Sequence, residues 1–190
     1  MQDFEKKLGV RAIFGGYHTT QGTKNALINL NDGMYLELIA LDNNTTIKPP
    51  RWMGIDALKE EQITRWAIKS NDLQKDSMSL KKYNLEMGRI AGGSRNTDTN
   101  FLLQWELSMP LPSPEVELVP FLIDWSKSET HPHKELPDMK CELLELNTMS
   151  TKHKTYHTIF KELQLTNLVK KGTQKKITAI IKCPNGIVAL

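Results

Sequence analysis

Glu37 is the residue in this chain best placed to do chemistry. Residues 34–41, MYLELIAL, alternate along a strand, putting Tyr35, Glu37 and Ile39 on one face and Leu36, Leu38 and Ala40 on the other. A buried carboxylate there needs a partner, and the segment upstream offers His18, Lys24 and Asn25. The alternative is a Glu37 solvated on an exposed face. Arg95 is the natural clamp for an anion or a carbonyl, because its planar fork can grip a carboxylate at two points and Gly92-Gly93-Ser94 leaves it accessible. A loop ion pair with Asp98 is the competing role. Trp105, Phe121 and Trp125 bring large apolar area, which serves a core or an aromatic-lined small-molecule cleft. His153 and His157 stand four apart, a spacing that holds a metal on a helix, yet no acidic partner accompanies them and a solvated helix face explains them. No nucleophile elbow, phosphate loop or paired-cysteine site occurs.

The elements that must position these groups follow from periodicity and turn chemistry. Residues 26–30 and 34–41 are β-prone runs around Asn31-Asp32-Gly33, a hairpin signal. Before them, residues 3–8 read as the end of a helix stopped by Gly9, and residues 10–14 as a short strand. Residues 43–50 form a connector, 55–62 a short helix, 63–70 a strand with Trp66 and Ile68 inward, and 72–87 a helix ended by Gly88. A polar loop over 92–98 precedes two strands, 101–109 and 117–125, joined through Pro110, Pro112 and Pro114. Beyond residues 126–140, a strand (141–149), a helix (151–163) and a hairpin around Pro184-Asn185-Gly186 complete the chain. The class is α+β: curled mixed or antiparallel sheets with helices on their outer faces.

Composition excludes several functions. A chain of 190 residues with 39% hydrophobic content supports a sizeable core, and 25 basic against 22 acidic residues leave a net charge of only +3. The basic pairs Lys170-Lys171 and Lys175-Lys176 are too small a footprint for nucleic acid. No apolar run approaches the ~20 residues of a membrane span, and no leader is visible. Cys141 and Cys183 are isolated, which suits reduced thiols and a cytoplasmic protein.

Residues 15–42 resemble a known signature. GGYHTTQGTKNALINLNDGMYLEL is similar to the GG-x-H-x-x-x-GT-x-NAL…YLEL pattern of the glyoxalase-like domain family, in the vicinal oxygen chelate superfamily, and Pro120-Phe121-Leu122-Ile123-Asp124-Trp125 with His131-Pro132 resembles that family's PFLIDW…HP segment. Arg95 and Leu103-Gln104-Trp105 fall where the family carries an Arg and an L-x-W strand. The resemblance implies βαβββ modules: an incomplete first module over 1–50, lacking its opening strand and that strand's histidine, a second over 51–126, a linker over 127–140 and a C-terminal β-α-β-β half-module over 141–190. An open edge left by the absent strand would favour a homodimer, or be filled by the C-terminal unit. Relatives hold a divalent metal with His and Glu on facing strands, so Glu37 is the implied ligand or general base, with His18 and Asp124 as further ligand candidates. The implied cleft is lined by His18, Asn25, Arg95, Trp105, Phe121, Asp124, Trp125 and His131. The implied function is a metal-assisted lyase, isomerase or dioxygenase acting on a small carbonyl or carboxylate compound. The alternative is a non-catalytic small-molecule binder on the same fold.

Overall fold

The computed structural model describes residues 2–96, 102–166 and 168–190. Helix α1 (Gln2–Leu8) leads into strands β1 (Ile13–His18), β2 (Thr23–Asn29) and β3 (Tyr35–Leu41), which form an antiparallel sheet in the order β1-β2-β3. The β2-β3 turn forms where expected, with left-handed backbone at Asn31, Asp32 and Gly33. A second sheet contains β4 (Ala67–Lys69), β5 (Ile90–Asn96), β6 (Leu102–Ser108) and β7 (Phe121–Asp124), in the order β4-β7-β6-β5, with α2 (Leu73–Tyr83) between β4 and β5. This is strand, helix, then three strands. A third sheet, ordered β11-β10-β8-β9, is built from β8 (Glu142–Ser150), β9 (Lys170–Lys171), β10 (Lys176–Cys183) and β11 (Gly186–Ala189), with α3 (His157–Glu162) between β8 and β9.

Several expected elements change. The segment expected as a polar loop is β5, whose glycines sit opposite Trp105 and Glu106 of β6. The strand expected over 63–70 contracts to β4, because Arg65 is spent on the carbonyls of Leu111, Ser113 and Glu115 and the Trp66 indole donates to Leu118 O at 2.7 Å. Glu117 works in the same way: its carboxylate takes the Tyr83 hydroxyl and the Val119 amide, so the chain bends there and β7 begins only at Phe121. The helix expected over 55–62 is a 3₁₀ segment, Trp52–Ala57. The helix expected to Met87 breaks at Asn84, whose extended backbone and side chain cap a separate 3₁₀ turn, Leu85–Gly88. Phe101, the expected start of β6, lies outside the described residues.

Two cores explain where a cleft can lie. Leu8 of α1, Ala26 and Ile28 of β2, and Ala179 and Ile181 of β10 form one, with Leu36 and Leu38 of β3 against it. Leu73 and Leu80 of α2, Leu122 of β7, Ile159 and Phe160 of α3, and Ile177 of β10 form the other. The C-terminal unit thus backs both sheets, and it does so without adding a strand to the first. Since β residues alternate, the opposite faces carry Asn25 and Glu37 in the first sheet, Trp105 and Phe121 in the second.

Candidate functional site

Glu37 is held from the neighbouring strands. Asn25 Nδ2 donates to Glu37 Oε1 at 2.5 Å and lies 3.3 Å from His18 Nε2, while His18 Nδ1 is 2.9 Å from the Thr23 hydroxyl. If Asn25 donates one N–H to each neighbour, His18 accepts at Nε2 and carries its proton on Nδ1. His18 Nε2 and Glu37 Oε1 are 3.7 Å apart. The His18 side chain is almost wholly buried and that of Glu37 is 29% exposed, so the carboxylate keeps an open side. Asn25 can lie across β1 because its neighbour there is Gly15, where a Cβ would overlap the Asn25 amide oxygen. Arg95, from β5, donates through Nη1 to the Gly15 carbonyl and so ties the second sheet to the first. Asp98, its expected alternative partner, lies outside the described residues.

The electrostatics push the two titratable groups in opposite directions. Burial, helped by the Arg95 charge, lowers the His18 pKa to about 4, which keeps the imidazole neutral. Burial raises the Glu37 pKa, against the Asn25 hydrogen bond and Arg95, which lower it. Tyr35, two residues before Glu37, has its hydroxyl pKa raised by burial and by the Glu37 charge.

Aromatic contacts extend the site. Tyr35 meets His131 with ring centroids 6.0 Å apart, His131 meets Trp125 at 5.4 Å, and Trp125 meets Trp105 at 5.3 Å. His131 and His133 approach through Nδ1 atoms 2.6 Å apart. Burial, with His133, Lys69 and Lys134 nearby, lowers the His131 pKa to about 4.

Of the residues singled out in the sequence, His18, Asn25, Glu37 and Arg95 come together, and Trp105, Trp125 and His131 form the row that reaches them through Tyr35. Phe121 shares the Trp105 face, since Leu107 pairs with Ile123. Asp124 does not join them: it pairs with Glu106 on the alternate face, and its carboxylate takes the Ser126 N–H at 2.8 Å and hydroxyl at 3.0 Å. It borders a depression of about 280 Å³ that the row shares through Trp125 and His131, with Lys69 on its rim. Two residues escaped the sequence reading. The period of two that exposes Glu37 also signals Tyr35, whereas Trp52, stacked edge-on against His18, opens the 3₁₀ segment just after the proline-rich connector and has no periodic signal.

A divalent metal does not fit the side chains present. Such a site takes at least three protein ligands, and among the described residues no group of three His, Cys, Asp or Glu side chains converges. Asn25 points an N–H donor between Glu37 and His18, where a cation would need lone pairs. The proposed third ligand, Asp124, is engaged by Ser126.

Mixed and antiparallel sheets with few helices, carrying a largely buried polar cluster on one face, are those of a vicinal oxygen chelate type of protein. Within that class, the chain belongs to the glyoxalase-like domain family, whose profile matches residues 1–164. Members often bind a divalent metal. Among solved structures, a hypothetical protein from Staphylococcus aureus is similar with a TM-score of 0.64 and 18% identity, covering 90% of this chain and 82% of that one, a likeness of fold. No curated protein matches the chain. Among the described residues, no helix is long and apolar enough to cross a membrane.

Proposed function

We propose that the protein binds a small carbonyl or carboxylate compound on the face shared by Glu37, His18 and Arg95, and that Glu37 acts there as general base in a lyase- or isomerase-type proton transfer. The observation that carries this reading is the Asn25 bridge. It fixes a partly exposed carboxylate beside a neutral imidazole and a guanidinium, and burial brings the carboxylate toward the basicity a general base needs. The aromatic row from Tyr35 to Trp105 supplies the apolar wall. Metal-assisted and dioxygenase versions would require a third ligand that the described side chains do not supply.

The second reading is a binder without turnover, favoured by the donor that Asn25 places between the two ligand candidates. Pyruvate in deuterated water separates the two. The wild type should speed exchange of the methyl protons and gain thermal stability with pyruvate, whereas Glu37→Gln should lose the exchange and Arg95→Lys should bind weakly. Stabilisation without exchange selects the binder. Equal stabilisation of wild type and both variants removes this face as the site. Divalent metals, screened in the same thermal assay, should give no shift that depends on Glu37.

Cytoplasmic location belongs to the same reading, supported by the two buried free thiols, as does a homodimer along the outer edge of β3, which has a strand neighbour on one side only. Sedimentation as a monomer would remove the dimer. No nucleic-acid or membrane partner is part of the proposal.

A further inference from the structure

Trp52 stands edge to face against His18, with ring centroids 4.9 Å apart and an interplanar angle of 85°. Its indole Nε1 is buried and, among the described residues, has no hydrogen-bond partner. An indole nitrogen can only donate. Both nitrogens of the adjacent His18 are already engaged, Nδ1 with Thr23 and Nε2 with Asn25, so His18 offers it no acceptor. Folded proteins keep few buried donors unsatisfied, and those that persist need a reason.

The segment that delivers Trp52 is firmly built. Asp56 binds both the Arg51 amide, at 2.6 Å, and its guanidinium, at 3.0 Å, in a largely buried ion pair. Arg51 Nε also donates to the Ile47 carbonyl at 3.2 Å. Met53, next in sequence, holds a left-handed backbone with φ of 56°, a conformation that costs energy for a residue with a side chain. Local bonds and local strain therefore converge on one side chain whose polar atom they leave unused.

We propose that Trp52 is a ligand-binding residue: its Nε1–H donates to a carbonyl or carboxylate oxygen of the molecule bound beside His18 and Glu37. This rests on the reading of that face as a small-molecule site. It adds a selectivity rule, because a site built around a buried donor discriminates against an analogue that puts a methyl or an amine where the oxygen should be.

The test follows the indole N–H signals of the four tryptophans by nitrogen-15 NMR while pyruvate is titrated into the full chain, with Trp52→Phe used to assign the Trp52 signal. Pyruvate should move that signal most, and Trp52→Phe should weaken pyruvate binding about tenfold, the scale of one lost hydrogen bond. If Trp52→Phe fails to fold, the wild-type signal is assigned through its proximity to the His18 ring, and the titration alone decides. Pyruvate binding that depends on Glu37 but leaves the Trp52 signal unmoved overturns this inference and spares the site. Pyruvate binding indifferent to Glu37→Gln, or no binding, overturns the site and this inference with it.

Discussion

The first and second sheets use one backbone device for two purposes. On β1, Gly15 leaves room for the Asn25 amide from β2. On β5, Gly93 leaves room for the Trp105 indole from β6, where a Cβ would lie 2.5–2.6 Å from the ring. In each sheet a missing side chain on one strand lets a neighbour's side chain lie flat on the face that carries Glu37 or Trp105. The first sheet spends that space on an amide that orients His18 and Glu37. The second spends it on an indole that begins the aromatic row. The first sheet thus supplies the His18–Glu37 cluster and the second starts the aromatic row, and the two meet where Arg95 of β5 reaches the Gly15 carbonyl and where the row ends on Tyr35 of β3.

Filling either space should break the comparison with the largest effects. Gly93→Ala forces a rigid indole, packed on Trp125, to move, and should cost about 3 kcal/mol of unfolding free energy and shift the tryptophan emission. Gly15→Ala meets an amide that can swing aside, so about 2 kcal/mol is expected, with a smaller change in emission, confined to Trp52 beside His18. Its distinctive signature is loss of the pyruvate response, since a displaced Asn25 no longer bridges His18 and Glu37. Urea denaturation with fluorescence and the thermal assay report both. Equal spectral changes in the two variants would mean that the sheets do not divide their roles.

Acid should act next, through the first sheet. His18 has its folded pKa lowered from 6.5 to about 4, so between these values the unfolded chain binds a proton that the folded chain refuses. Its contribution is fully present above pH 6.5 and is lost as pH falls toward 4, by a total on the order of 3 kcal/mol. His131, lowered to about 4, adds a slope of the same sign in the same window. Glu37 works the other way: its folded pKa is raised, so its contribution is present when both states are protonated and is lost as pH rises from 4.5 through the folded value. Glu37→Gln should therefore steepen the loss of stability between pH 6.5 and 4.5, and His18→Gln should flatten it. Denaturation midpoints across this range check both signs.

How much of this was legible in the sequence depended on how local each signal was. The β2-β3 hairpin was visible because turn and strand signals agree within a dozen residues. Glu37, Asn25 and His18 stood out because alternation and a glycine-rich approach put them within reach of one another. β5 was not visible, since Gly92 and Gly93 read as loop until Trp105, on another strand, gives them a purpose. The short β4 was also hidden: nothing near Arg65 announces that its guanidinium will gather carbonyls from Leu111, Ser113 and Glu115. Trp52 is the extreme case, because only the folded position of His18 makes its ring and its idle N–H meaningful.

The smallest effect should come from Asp124, and it sharpens the boundary of the site. The PFLIDW segment suggested that this carboxylate shares a cleft with Glu37, yet Asp124 faces the other side of its sheet and spends its oxygens on Ser126. Asparagine keeps one oxygen for the Ser126 amide and replaces the second acceptor with an NH2 donor, so that hydrogen bond is kept only with its direction reversed, the Ser126 hydroxyl accepting. Asp124→Asn should therefore cost about 0.5 kcal/mol of stability, and pyruvate should raise its melting temperature by as much as it raises the wild type's. His131→Phe, by contrast, keeps a ring beside Trp125 but alters the row that touches Tyr35, and should weaken that response by a few-fold. If Asp124→Asn lost as much of the response as Glu37→Gln, the site would have to extend through β7 to the depression bordered by Lys69 and Trp125. The face that carries Glu37 would then no longer define it alone.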